Sequence, residues 1–236
     1  MAVNFGKVSS VFDDDSRISE LSLAPPAGHR DPPSTERGAR TRAALIASAR
    51  VVFERSGYLD ARLTDIAKEA GCATGSFYTY FANKEEVFAA VLEVAREEMM
   101  HPGMGRVAGN DDPYAVLEAS NRAYLAAYQR NAKLMGLMEQ VASIDPEFRR
   151  FRNERADAFI FRNARGIAEL QERGVVDSGL NPLLTSMALS GMVSRFAYSV
   201  FTLGEGRVDG MPVDFDEIVA TVTDLWANAL KFPGGS

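Results

Sequence analysis

Apolar residues recur every three to four positions along most of the chain, and almost nowhere every two. Leu45, Ile46, Ala49, Val52 and Phe53 trace one helical face, with order expected from about Thr41 and Gly57 as a natural stop. A shorter helix follows from Leu63 to Ala70, with Ile66, Ala67 and Ala70 inward and Gly71 as its left-handed exit. Residues Thr74 to Phe81 supply a third short helix. Asn83 is placed to cap a fourth, with Glu86 at the reciprocal capping-box position. Its apolar face is Val87, Phe88, Val91, Leu92 and Ala95, and His101-Pro102-Gly103 ends it.

Three later helices announce themselves with one device. Asp112-Pro113, Asp145-Pro146 and Asn181-Pro182 each set a capping side chain before a proline suited to the first helical position. The first helix breaks near Asn131, after which Leu134, Met135, Leu137, Met138 and Val141 form a shorter one. The second runs to Gly174, and the third covers roughly Leu183 to Leu203. A last helix is expected from Asp214, with Glu217 completing a capping box. The fold class is therefore all-α. Residues 1–36, with an acidic triplet and several prolines, read as a disordered arm. Residues 37–86 then form a compact helical unit and residues 87–236 a larger bundle.

Composition narrows the function. At 46% apolar the 236 residues suffice for a real core, and the N-terminus has no apolar stretch resembling a secretion signal. The most apolar later stretch, MALSGMVSRFAYSVF, holds Arg195 in its middle and is too short to span a bilayer. One cysteine, Cys72, excludes an intramolecular disulfide, and two distant histidines with no Cys or carboxylate at ligand spacing argue against a zinc site. No nucleophile triad or phosphate loop is visible, so the reading is not an enzyme, with no cofactor and a cytoplasmic location. The net charge is −6, yet residues 30–84 hold nine Lys/Arg against six Asp/Glu. A basic segment on an acidic body suits a protein that touches a polyanion with one part only, although scattered surface charge gives the same count.

The stretch AGCATGSFYTYF, residues 70 to 81, concentrates four aromatics just after two glycines. Phe77 and Phe81 are four apart and can anchor the short helix inward. Tyr78 and Tyr80 are displaced around it, while Thr74, Gly75, Ser76 and Thr79 are small or hydroxylated and let the backbone approach base edges. Two short helices joined by a glycine-containing turn make a helix-turn-helix, whose second member lies in the major groove. Lys84 adds a cation beside amides that favour phosphate. A short helical hairpin inside an ordinary α-bundle would use the same spacing, so a helical adaptor binding protein rather than DNA stays open.

The residues themselves closely resemble a known segment. Thr64-Asp65-Ile66-Ala67, Ala70-Gly71, Thr74 through Phe81 and Asn83-Lys84-Glu85 resemble the DNA-binding segment of the tetracycline-repressor (TetR) family, over about residues 40 to 92. The resemblance implies a homodimeric, ligand-responsive transcription factor, usually a repressor, released from a palindromic double-stranded DNA operator by a small molecule. It places Thr74, Gly75, Ser76, Tyr78 and Thr79 toward the groove, and Tyr80 and Lys84 on phosphates. Arg62 stands where many members carry a capping Thr, which points it at a phosphate, and Thr64 follows in the same turn. Ala73 replaces the usual hydroxyl before the recognition helix, leaving Thr74 as the expected cap. Cys72 occupies a position usually filled by Val and reads as a small buried apolar residue.

Beyond residue 104 the chain is rich in aromatics and methionines. Tyr124, Tyr128, Met135, Met138, Phe151, Phe159, Met192 and Phe196 are candidates for an apolar pocket, with core packing as the plainer reading of each. Arg152, Arg155, Arg162, Arg165 and Arg195 could meet an acidic head on a hydrophobic small-molecule effector, or stand as solvated surface. By resemblance the dimer would form through the last two helices. The small residues Ala188, Gly191, Ser194 and Ala197, and Val219, Val222, Leu225 and Trp226, are its expected contacts.

Overall fold

A computed structural model describes residues 33–100, 112–208 and 210–232. The expected end of the fourth helix at His101 and most of the N-terminal arm lie outside the described residues.

Helix α1 spans Glu36–Asp60, starting before Thr41 because the Thr35 hydroxyl accepts the Gly38 N–H at 3.1 Å and satisfies an orphan donor of the first turn. Gly57 interrupts it as expected, at φ 78°, and one further turn closes at Asp60. Helix α2 is Leu63–Glu69, and Gly71 leaves it at φ 68°. Helix α3 is Thr74–Tyr80 and α4 is Lys84–Met100. Asn83 caps α4 by accepting the Glu86 N–H at 2.8 Å, while the Glu86 carboxylate reaches back one residue further than expected, to the Ala82 N–H.

All three Asx-Pro starts form. Asp112 opens α5, Pro113–Arg130; Asp145 opens α7, Pro146–Glu172; Asn181 opens α8, Pro182–Ala197. Each side chain accepts one or two free amides of its first turn. Between α5 and α7, the break at Asn131 gives α6, Ala132–Ile144. The last turns of the long helix expected to reach Leu203 widen into a π-helix over Tyr198–Thr202. A two-stranded antiparallel ribbon, β1 Arg207–Val208 with β2 Met211–Pro212, leads to α9, Phe215–Leu230. Asp214 caps α9 through the Asp216 and Glu217 amides, but Glu217 does not return the bond. The fold is all-α apart from that short ribbon.

Helix α2 packs on both α1 and α3, and α1 lies against α4 and α6. An aromatic cluster makes that junction. Phe53 and Tyr58 of α1 meet Phe88 of α4 at 5.0 and 4.8 Å between ring centroids, and Phe148 of α7 closes on Phe88 at 5.4 Å. In the bundle, α7 lies along α8 and α6, and α5 along α9. The α5–α9 contact is pinned by Tyr114 donating to Asp224 at 2.6 Å, Asn121 to Thr223 at 3.2 Å, and the Arg122–Asp216 ion pair. No helix among the described residues is long and apolar enough to cross a membrane.

Gly136 of α6 lies where a Cβ would come within 2.8 Å of the Thr202 methyl in the π-helix. The Thr202 hydroxyl is itself tied to the Ala132 carbonyl at 3.2 Å, so it cannot swing away freely. Gly136→Ala should therefore cost about 1–3 kcal/mol through overpacking, despite the better helix propensity of alanine. Denaturant unfolding of the variant checks this; an unchanged midpoint would show that the two elements yield.

Candidate nucleic-acid interface and internal cavity

Helix α3 is divided cleanly by burial. Phe77 is fully buried with Phe81 just beyond the helix end, their rings 5.7 Å apart, which locks one side of the helix onto the core. Gly75, Ser76, Tyr78 and Thr79 are exposed on the other side, and Thr74 and Tyr80 are half-buried between. Tyr80 packs against the core with its ring. A Cβ added at Gly75 would meet nothing within 4 Å, so the backbone there is open to a close approach. No side chain caps α3: Ala73 holds the cap position and Thr74 does not take over the bond. The expected capping by Thr74 is not made, which leaves its hydroxyl for other partners.

On α2, Arg62 sits at the cap position without capping, and both it and Thr64 are exposed. Arg42 does not join them, because its guanidinium lies 5.0 Å over the Phe81 ring, where burial lowers its pKa from the ordinary arginine value. Cys72 is half-buried against the core.

Lys84 differs from expectation. Its ammonium donates to three backbone carbonyls at the end of α1, those of Tyr58 at 2.9 Å, Leu59 at 3.1 Å and Ala61 at 3.3 Å. It also sits 4.8 Å over the Tyr58 ring. An ammonium has three protons, and all three are spent. A phosphate would have to displace one of these carbonyls, so in this arrangement Lys84 clamps the α1 terminus rather than offering a free cation. The Tyr58 hydroxyl in turn donates to Glu85 at 3.0 Å, and burial, then the Glu85 carboxylate, raises its pKa. The first turn of α4 is thus bolted to the last turn of α1 from both sides.

The helical bundle holds a half-open cavity of about 520 Å³ between α5, α6, α7 and α8, with Trp226 of α9 in its wall. Of the expected pocket residues, Tyr124, Tyr128, Met135, Met138 and Phe159 line it. Phe151, Met192 and Phe196 do not. Phe151 is core, Met192 is half-buried against that core, and Phe196 is 37% exposed on the outer side of α8. The cavity is less apolar than those side chains suggest, because Asn121, Glu139, Arg152, Arg155 and Asn163 also line it. Arg152 is paired with Glu139 at 3.0 Å, while Arg195 and Arg162 lie over the rings of Tyr198 and Phe159. Burial pushes the Tyr124 phenol up to about 12, so it stands neutral in the wall as a hydrogen-bonding group.

Four of the eight expected dimer contacts are occupied within the chain itself. Ala197 of α8 is buried within the chain, and so are Val219, Val222 and Trp226, because the apolar stripe of α9 faces α5. Leu184, Met187, Ala188, Gly191 and Ser194 of α8 and Leu225 of α9 stay exposed, Gly191 and Ser194 of them also bordering the cavity.

Residues 45–91 match the profile of "Bacterial regulatory proteins, tetR family". The HTH-type transcriptional regulator EthR of Mycolicibacterium smegmatis is 23% identical over 190 residues, covering 80% of this chain and 85% of that protein. The HTH-type transcriptional repressor BepR of Brucella suis is 28% identical over 176 residues, 67% of this chain and 79% of its own length. In three dimensions the chain resembles SmeT in its complex with triclosan, with a TM-score of 0.67 at 20% identity over 80% of this chain and 91% of that one.

Two substitutions test the interface. Gly75→Ala should hold or raise stability by up to ~1 kcal/mol, since nothing opposes the methyl, yet weaken DNA binding by obstructing the groove approach. Binding at full strength would mean that this end of α3 does not meet DNA. Lys84→Ala should cost about 1 kcal/mol of stability by freeing the α1 terminus. Its slope of DNA affinity against salt should stay unchanged; a slope smaller by about one unit would return Lys84 to the phosphate role.

Proposed function

The chain belongs to the TetR family as a helix-turn-helix transcriptional regulator rather than an enzyme, and on that premise we propose a homodimeric repressor that a small molecule releases from a two-fold symmetric operator. The observation that carries this reading is the separation of two faces on one continuous core. Residues 75, 76, 78 and 79 of α3 face outward for DNA, while the cavity opens in a different part of the same core.

The division of labour proposed here assigns residues 37–86 to DNA and residues 87–236 to effector and dimer, in the cytoplasm. Groove readers are Ser76, Thr79 and Tyr78, with Gly75 admitting the backbone. Arg62, Thr64, Thr74 and Tyr80 are assigned to the phosphate backbone at the edges. The exposed α8 strip with Leu225 of α9 is the dimer surface: its small residues let two copies approach closely, and its leucines and methionine supply the apolar area. Support for an effector comes from the cavity's size, inside the roughly 300–1,000 Å³ typical of small-ligand sites. It also comes from SmeT, a structural neighbour, in complex with triclosan. BepR, a relative, is itself a repressor.

A ligand shifts DNA binding only through unequal affinity for two arrangements of the protein. The structure offers a path for that inequality, since α7 lines the cavity with Arg155 and reaches the aromatic junction with Phe148. Any shift of α7 is felt by Tyr58 and Phe88, and through them by the helices that carry α3.

Selection of bound sequences from random DNA is the direct test. The recovered site should be an inverted repeat with half-sites about 34–36 Å apart or a multiple of that, and log affinity should fall steeply with log salt. A site without a dyad, or a monomer at the binding concentration, would remove the dimeric reading. An absence of salt-dependent DNA binding would favour a protein-binding adaptor.

A further inference from the structure

The cavity wall contains a charge that forms no ion pair among the described residues. Arg155 is 6% exposed and lines the cavity, yet among the described residues no carboxylate pairs with it. Its guanidinium nitrogens rest instead on three thioethers, with Met99 Sδ at 2.7 Å, Met135 Sδ at 2.9 Å and Met138 Sδ at 3.5 Å. Thioether sulfur is a weak acceptor and carries no charge to balance the cation. The nearby acids are engaged elsewhere: Glu139 with Arg152, and Glu93 with Arg96. Burial holds Arg155 below the ordinary arginine pKa, but an arginine does not shed its proton within the working range.

A second donor is stranded in the same wall. Trp226 is 4% exposed, lines the cavity, and its indole N–H meets no acceptor among the described residues. An indole offers only a donor, so what is missing is an acceptor. Buried polar groups are normally satisfied, and those that are not call for an explanation such as an absent ligand. Leu117, Tyr124, Phe159 and Val193 give the wall an apolar portion beside its polar side chains.

We propose that the cavity takes an amphipathic carboxylate whose head is gripped by the Arg155 guanidinium and whose apolar body fills the space between α5, α7 and α8. The planar guanidinium fork matches the two carboxylate oxygens, and a cation already stripped of water gives up little hydration on meeting the ligand. This deepens the effector reading above and rests on it only for the regulatory consequence. That consequence follows from Met99, which belongs to α4, the helix whose first turn clamps α1 through Lys84. A carboxylate that draws the guanidinium away from Met99 changes the seat of the far end of α4.

The test uses the full chain and a matched pair of probes, decanoate and 1-decanol, titrated calorimetrically. Wild type should prefer the acid by about ten- to a hundredfold, the usual worth of a charged hydrogen-bonded pair. Arg155→Met should bind both alike, and its unfolding midpoint should not fall, since a buried unbalanced charge has been replaced by an apolar chain of similar length. Arg155→Lys keeps the charge without the fork and should retain part of the preference, which decides the matter even if the methionine variant folds poorly. Equal binding of acid and alcohol by wild type overturns the proposal, as does an acid preference that survives in Arg155→Met. Operator affinity is read separately with each probe. Release by the alcohol as readily as by the acid sinks the carboxylate and leaves the effector reading intact. Acid binding at Arg155 without any change in operator affinity keeps the site and removes its regulatory role.

Discussion

The contact on which the rest depends is the aromatic junction of Phe53, Tyr58, Phe88 and Phe148. Helices α2 and α3 are seven residues each, too short to hold a conformation alone, so their placement relies on the surface that receives them. Phe77 and Phe81 pin α3 into a core continuous with that junction. Because Tyr58 of α1 meets both Phe88 of α4 and Phe148 of α7, the headpiece of residues 37–86 and the bundle share packed side chains. Densely packed rings do not deform gradually, so a displacement at one edge is passed on or resisted as a whole.

Polar groups at the same place set orientation where rings alone would permit sliding. The Lys84 ammonium gathers three carbonyls left open by the end of α1, and the Tyr58 hydroxyl meets Glu85 in the first turn of α4. Carbonyls at a helix C-terminus carry the negative end of its dipole, which suits a cation. Directional bonds of this kind fix the angle between α1 and α4, and with it the direction in which Gly75, Ser76, Tyr78 and Thr79 point.

The bundle contrasts with this closed arrangement. Its cavity holds a guanidinium among sulfurs and an indole N–H that meets no acceptor among the described residues. A core selected for stability alone would replace Arg155 with an apolar residue, since burying an unbalanced charge is unfavourable. The headpiece is satisfied and the cavity is not, which is the distribution expected where one site presents a preformed surface and the other awaits a ligand.

Local chemistry in the sequence was enough for the helices, because caps, prolines and glycines act over three or four residues. The three Asx-Pro starts, Gly57, Gly71, Gly174 and the break at Asn131 all stand where side-chain chemistry puts them. The inward face of α3 was equally legible from the four-residue spacing of Phe77 and Phe81. What the sequence could not settle was which neighbour each surface meets. Val219, Val222 and Trp226 suit a partner subunit as well as α5, and tertiary packing gives them to α5. Lys84 suits a phosphate as well as three carbonyls, and the return of α1 to its side is what supplies the carbonyls. Arg155 left a trace, since it stands on the same helical stripe as Phe148, Phe151 and Phe159. A charged residue on an apolar stripe is as often turned to water by its long stem as buried. Its burial depends on α4, α6 and α7 converging around it, which is a property of distances between helices and not of the residues within any one of them.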